Sequence, residues 1–330
     1  MAWSADRARC IFSNSLNEST LHVSPGVPPG NGAGLDDGRA GIRLLLNAAR
    51  RTGLPLRSTL DDLITTLFPS DCRVCGGSLL RSTILPICES CRVAVPAQTM
   101  AMCHCCGEAL DMESARFAGQ FPAEGLLCYV CRVLPPMFER AVAYAVYQDE
   151  LREMIHLLKY ERMGGVAKLL GGFLAESILT LQAEAARELI VVAVPLFPAK
   201  QRQRGYNQAQ LLADVAIAKL RRLAPDWRLQ RLSGVLLRRR DTRSQFELNP
   251  RSRRKNLEGA FAVDAGNFPI GCEVLLIDDI YTSGATAREC ARVLRRDGAH
   301  KVWVATLARA QYVRVAMWDS DLMHAAQGFG

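Results

Sequence analysis

The chain has 330 residues, a formal net charge of +8 and 49% apolar residues. That apolar content excludes wholesale disorder, and the length leaves room for two domains. The basic balance favours acidic partners such as phosphate esters or nucleic acid, and no apolar run reaches the roughly 18 to 20 residues of a membrane helix.

In chain order, residues 1–57 carry "SPGVPPGNGAGLDDGRAG", too rich in Gly and Pro to fold regularly. This segment is expected to be a disordered leader, or translation from a start codon placed too early. The opening "MAWSADRARC" has no charged lead followed by an apolar core, so the expected location is cytoplasmic. Residues 58–134 have little core and hold four Cys-x-x-Cys pairs. From 135 onward strand-like and helical patterns alternate, which predicts an α/β domain over 135–310 with a short tail, 311–330.

Within that domain "RAVAYAVYQ" reads as a strand, and "ELREMIHLLKYER" as a helix with apolar residues at Leu151, Met154, Ile155 and Leu158. His156 is expected to pack among them. "ELIVVAVPL" is a buried strand followed by a basic loop, and "NQAQLLADVAIAKLRRL" a helix capped by Asn207. "EVLLIDDI" is a second buried strand, 286–299 a helix stopped by Gly298, and "KVWVATLA" a last strand. Cys272 and Cys290 are expected in the core.

The cysteine pairs carry the first chemistry. Cys72 and Cys75 are followed after twelve residues by Cys88 and Cys91; Cys103 and Cys106 are followed after twenty-one by Cys128 and Cys131. A two-residue gap lets both thiolates of a pair face one ion from a tight turn, and two pairs complete a tetrahedral sulfur site. Disulfides would need an oxidising compartment. Two structural zinc ions are therefore expected. Grouping the pairs in sequence order closes shorter loops than interleaving them. Gly76 and Gly107, directly after a pair, suit the positive φ of a knuckle turn. His104 and Cys105 are read as bystanders.

The second chemistry lies in "VLLIDDIYTSGAT", 274–286, where a buried strand runs into two adjacent carboxylates. In open α/β sheets ligands sit beyond the carboxyl ends of strands. The loop after Asp278 and Asp279 offers hydroxyls and backbone N–H groups to an anion, with help from the following helix dipole. Gly284 allows close approach. Carboxylates repel phosphate, so their partners are ribose hydroxyls or magnesium. Together they describe a sugar-phosphate site. The plainer alternative is an exposed acidic pair beside an ordinary helix cap.

This string resembles the phosphoribosyl pyrophosphate (PRPP) motif of type I phosphoribosyltransferases. Three further stretches narrow the resemblance to the ComF family: "RGYNQA" at 204–209, "QFEL" at 245–248 leading to "RRKNLEGAF" at 253–261, and "LLKYER" around Lys159. The family joins a cysteine-rich zinc finger to a phosphoribosyltransferase-like domain and includes competence proteins of natural DNA uptake. The resemblance implies a mostly parallel sheet flanked by helices, with PRPP and magnesium as ligands. It implies ribose contacts from Asp278 and Asp279, and 5-phosphate contacts from Thr282, Ser283, Gly284, Ala285 and Thr286. Family members more often show Val-Thr-Thr where this chain has Tyr281-Thr282-Ser283; Ser283 keeps the hydroxyl. Lys200, Arg202 and Arg204 are candidates to meet pyrophosphate, and 238–256 resembles the hood of the superfamily.

Two functions remain open at this stage. One is a phosphoribosyltransferase acting on an acceptor. The other is a non-catalytic accessory protein of the DNA-uptake machinery that binds single-stranded DNA and uses PRPP as a ligand. Residues 195–260 hold 16 Lys plus Arg against 5 Asp plus Glu, a surplus able to track a strand's phosphates.

Overall fold

The computed structural model describes residues 71–79, 85–98, 101–110, 125–161, 163–241 and 256–311. The expected leader, the core of the hood and nearly all of the tail lie outside them. The chain divides into two compact units, 1–88 and 89–330.

In the first unit the described residues form a knuckle around Cys72 and Cys75. Cys72 N–H donates to Gly77 O at 2.7 Å and Gly76 N–H to Cys72 O at 2.8 Å. Gly76 has φ +72°, as the turn requires.

The second unit is an α/β sheet domain with a second knuckle. Short helices α1 (Glu89–Val93) and α2 (Tyr129–Val133) precede it. The sheet holds β1 (Arg140–Val146), β2 (Glu188–Ala193), β3 (Arg228–Arg231), β6 (Glu273–Tyr281) and β7 (Lys301–Arg309). Its order is β1-β7-β6-β2-β3, and every neighbouring pair is parallel. Parallel strands are covered on both faces, and here the middles of β2, β6 and β7 are buried runs. β4 (Leu236–Arg238) and β5 (Phe261–Val263) form a separate antiparallel ribbon flanking the hood segment.

Between the strands run α3 (Asp149–Tyr160), α4 (Val166–Leu179), α5 (Pro198–Arg204), α6 (Gln208–Leu223) and α7 (Ala285–Arg296). The chain leaves β2 toward β3 but leaves β6 toward β7, the opposite way along the sheet. The reversal puts a topological switch point at the carboxyl ends of β2 and β6, where open α/β sheets bind ligands. The "LIDD" strand and the basic segment after β2 both end there.

The expected strands and helices stand where the sequence patterns put them, with two corrections. The segment expected as a basic loop is the helix α5: Pro198 occupies the first turn, good helix formers follow, and Gly205 at φ +85° closes it. His156 is exposed rather than packed, resting against Tyr160 with ring centroids 4.6 Å apart. It lies off the face set by Leu151, Met154, Ile155 and Leu158, all buried. Cys272 and Cys290 are buried as expected.

Candidate functional site

The site is built on the last residues of β6 and the turn into α7. β6 is anchored between β2 and β7, with Asp278 in register with Thr306 and Tyr281 with Arg309. Asp278 and Asp279 end the strand side by side, close enough that each feels the Lys159 charge. Asp279 forms an ion pair with Lys159 at 2.8 Å, both side chains mostly withdrawn from water (16% and 14% exposed). Asp278 accepts the Asp279 backbone N–H at 2.9 Å. Burial and the neighbouring Asp279 charge push the Asp278 carboxyl up to about 7, against the pull of that N–H, Lys159 and Arg238.

Sequence reasoning gave Lys159 and Arg238 no role at the site. Lys159 comes from the end of α3, a tenth of the chain or more from any other site residue, and only the fold brings it to Asp279. Arg238 comes from β4. Burial disfavours its charge and the fields of Asp278 and Asp241 support it. The "LLKYER" match was the one signal available for Lys159.

The "RGYNQA" stretch positions these groups. Tyr206 Oη donates to the Leu158 carbonyl, next to Lys159. Asn207 accepts the Ala209 N–H at 3.0 Å, capping α6, and its amide donates to Val194 O at the end of β2 at 2.9 Å. Gln208 is 2% exposed, and its Nε2 has no hydrogen-bond partner among the described residues. Of the basic candidates on α5, Lys200 lies 3.5 Å from Asp241, and Arg204 stacks over the Tyr160 ring at 5.2 Å. Arg202 is exposed. Thus Lys159 from the end of α3 and Arg238 from the base of the ribbon meet the acid pair, while α5 touches Tyr160 of α3 and Asp241.

The loop itself is short. Thr282, Ser283 and Gly284 bend the chain, and Ala285 and Thr286 already belong to α7. The first N–H groups of a helix have no intrahelical acceptor and carry its positive dipole end. Gly284 sits at φ +73°, and a Cβ there would fall 2.2 Å from the Tyr281 hydroxyl oxygen. No other residue fits that turn without displacing Tyr281. The Ser283 Oγ is buried without a hydrogen-bond partner among the described residues. A buried hydroxyl without a partner is costly unless a ligand completes it.

The eight expected cysteines form two groups, in sequence order: Cys72, Cys75, Cys88, Cys91 and Cys103, Cys106, Cys128, Cys131, with the sulfurs of each within 4.8 Å of one another. Cys75 and Cys88 sulfurs are 3.7 Å apart, as are those of Cys106 and Cys128. Zn–S bonds of about 2.3 Å in a tetrahedron give S···S edges of ~3.8 Å. Both groups can hold a metal ion and fit a zinc-finger module. Backbone N–H groups of Cys88 and Cys131 point at the Cys72 and Cys128 sulfurs at 3.3 and 3.4 Å. His104 and Cys105 stand outside both groups.

A parallel sheet with its switch point at β2 and β6 that carries an acid pair and a small hydroxylated loop, in a chain with two four-cysteine groups, is the architecture expected from the sequence. No protein-family model matches the chain. Curated relatives do. The chain is 31% identical over 234 residues to the DNA utilization protein YhgH of Escherichia coli (strain K12), covering 69% of this chain and 98% of the relative. It is 28% identical over 228 residues to Competence protein F of Haemophilus influenzae, covering 68% and 90%. It is 29% identical over 167 residues to Competence protein ComFC of Streptococcus pneumoniae, covering 51% and 67%. The chain belongs to the ComF family. Among the described residues no helix is long and apolar enough to cross a membrane.

Proposed function

We propose that the chain binds PRPP at the carboxyl ends of β2 and β6 and transfers its phosphoribosyl group to an acceptor nucleophile, as part of the handling of incoming DNA. The observation that carries this reading is the pairing of a buried, partnerless Ser283 hydroxyl in a glycine-shaped helix-leading turn with two carboxylates one strand-end away. The turn suits the 5-phosphate, with donors from Thr282, Ser283 and Thr286 and from the backbone of Gly284 and Ala285. Asp278 and Asp279 suit the ribose diol, whose hydroxyls donate to them.

Magnesium does not fit directly on the acid pair, because the Lys159 ammonium already neutralises Asp279 at 2.8 Å. Magnesium would enter with the diphosphate of the ligand, whose charge it would offset. In transfer, the bond from ribose C1 to the diphosphate oxygen breaks and its electron pair leaves with diphosphate. A lone pair of the acceptor forms the new bond to C1, and the acceptor loses a proton. With the diol on the two carboxylates, their charge would favour the positive charge that grows on the sugar. Lys200, Arg202 and Arg204 stand on the element after β2, where they favour the departing anion. The two cysteine groups each hold a structural zinc.

The names of the relatives favour a DNA role, and the basic surplus over 195–260 suits contact with a single strand's phosphates. The test is release of diphosphate from PRPP and magnesium with a panel of bases, amines and single-stranded DNA as acceptors. Acceptor-dependent release supports transfer. PRPP binding without release under any acceptor leaves the accessory reading, in which PRPP is a ligand alone.

A further inference from the structure

The second four-cysteine group touches the phosphate turn through two arginines. Arg309, at the end of β7, is 3% exposed. Its Nη2 lies 3.6 Å from the Cys106 sulfur and donates to Glu108. Its guanidinium also covers the Tyr281 ring, 4.3 Å from the centroid. Arg288, in the first turn of α7, places Nη2 3.7 Å from the Cys131 sulfur, while Nη1 donates to Leu134 O at 2.6 Å. Tyr281 is itself 5% exposed, braced edge-on by Phe138 at 6.3 Å, with its hydroxyl against Gly284. The knuckle is also fastened to the sheet: Cys105 O accepts the Ala141 N–H of β1 at 2.7 Å.

Charge explains why these contacts belong together. Four thiolates on one divalent ion leave a net charge of about −2. A buried guanidinium needs such a counter-charge close by. Two guanidiniums meet the group, one on each side of the turn: Arg309 behind Tyr281, Arg288 just beyond Gly284.

We infer that the Cys103–Cys106–Cys128–Cys131 centre, when filled, shapes the phosphate turn, with Arg309 and Arg288 as positioning residues acting through Tyr281 and α7. The inference rests on reading the turn as the PRPP phosphate site. Tyr281, where the family more often carries valine, is the side chain through which Arg309 reaches the turn.

The test uses the full chain with zinc bound and two readouts. Calorimetry with PRPP and magnesium reads the site, and amide hydrogen exchange over 281–288 reads the turn without ligand. Arg309→Met should keep zinc content and cooperative unfolding, weaken PRPP binding at least tenfold and speed exchange across the turn. Arg288→Gln, half-exposed and a smaller risk to the core, should do the same to a lesser degree. Arg228→Ala, which removes an exposed guanidinium on β3, should change neither readout. Wild-type exchange and affinity in Arg309→Met and Arg288→Gln would overturn the inference. If the wild type itself binds no PRPP, the phosphate-site reading fails, and faster exchange in the two variants still decides whether the centre shapes the turn.

Discussion

The two cysteine knuckles share one local fold and differ in what surrounds them. Cys72 N–H to Gly77 O is matched by Cys103 N–H to Glu108 O, each at 2.7 Å, and Gly76 N–H to Cys72 O by Gly107 N–H to Cys103 O at 2.8 and 2.9 Å. Each is closed by an isolated bridge, Asp71 to Ser78 and Met102 to Ala109. In the first group Cys75 is exposed and Cys88 half-buried. In the second Cys103, Cys106 and Cys131 are all buried, and two arginines from the sheet domain approach the sulfurs. The repeat therefore defines the shape of a module, and the packing around each copy defines its work. One copy closes a metal site; the other also supports the candidate active site.

The largest effect should come from breaking the second centre. Cys106→Ser removes a zinc ligand and one of the two negative groups beside buried Arg309, which keeps only Glu108, so it should cost more stability than any change at the first centre. Cys75→Ser, at an exposed ligand, should lower the zinc content from about two to one with a smaller loss of stability. Metal analysis with denaturant unfolding checks both. Equal losses from the two substitutions would erase the distinction between the centres.

The two knuckle glycines sharpen the same comparison. A Cβ at Gly76, φ +72°, would meet nothing within 4 Å among the described residues, so Gly76→Ala should cost only the left-handed strain of about 1 kcal/mol. A Cβ at Gly107, φ +66°, would press on the Ala141 carbonyl at 3.3 Å and approach Arg309 Cδ at 3.7 Å. Gly107→Ala should cost roughly twice as much, read as the difference in denaturant midpoint.

The pH dependence set by Asp278 tests the strand end rather than the knuckles. Its folded carboxyl is raised from 3.8 to about 7, by burial first. Between those values the folded state holds a proton that the unfolded state has released, so this group's contribution to stability falls as pH rises through the window. At about 1.4 kcal/mol per unit the full shift would be worth ~4 kcal/mol, and the solvent contact that Asp278 keeps lowers the expected change to about 1–2 kcal/mol. Asp278→Asn should flatten that part of the pH profile in unfolding measured on the ligand-free protein. An unchanged slope would place the raised carboxyl elsewhere.

Much of this was legible in the sequence. The Cys-x-x-Cys spacing marked the four ligand pairs, because ligand geometry constrains neighbours in the chain; it left their grouping open, with loop closure favouring the sequence order that the structure has. The run from apolar residues to Asp278, Asp279 and Gly284 marked a strand end and a turn, because burial and backbone freedom leave local signatures. What sequence could not supply is long-range. Lys159 meets Asp279 across 120 positions, and Arg309 reaches Cys106 from the far end of the sheet. Nothing near either residue announces its partner. Pro198 and Gly205 bracket a helix, but "AKQRQR" between them is too short and too charged to show an apolar period, so it reads as a basic loop.

The proposed PRPP site stands or falls with the acid pair and the turn after it. Calorimetry with PRPP and magnesium, comparing the wild type with Asp278→Asn combined with Asp279→Asn, tests it most directly. Each hydrogen bond to a charged group contributes about 1.5–3 kcal/mol, so losing two should weaken binding by roughly two to four decades. Zinc content should stay as in the wild type and unfolding should stay cooperative, at lower stability because Lys159 loses its partner. Equal affinities for the two proteins, with both folded and metal-loaded, would contradict the claim and make the acid pair a structural feature of the β6 strand end.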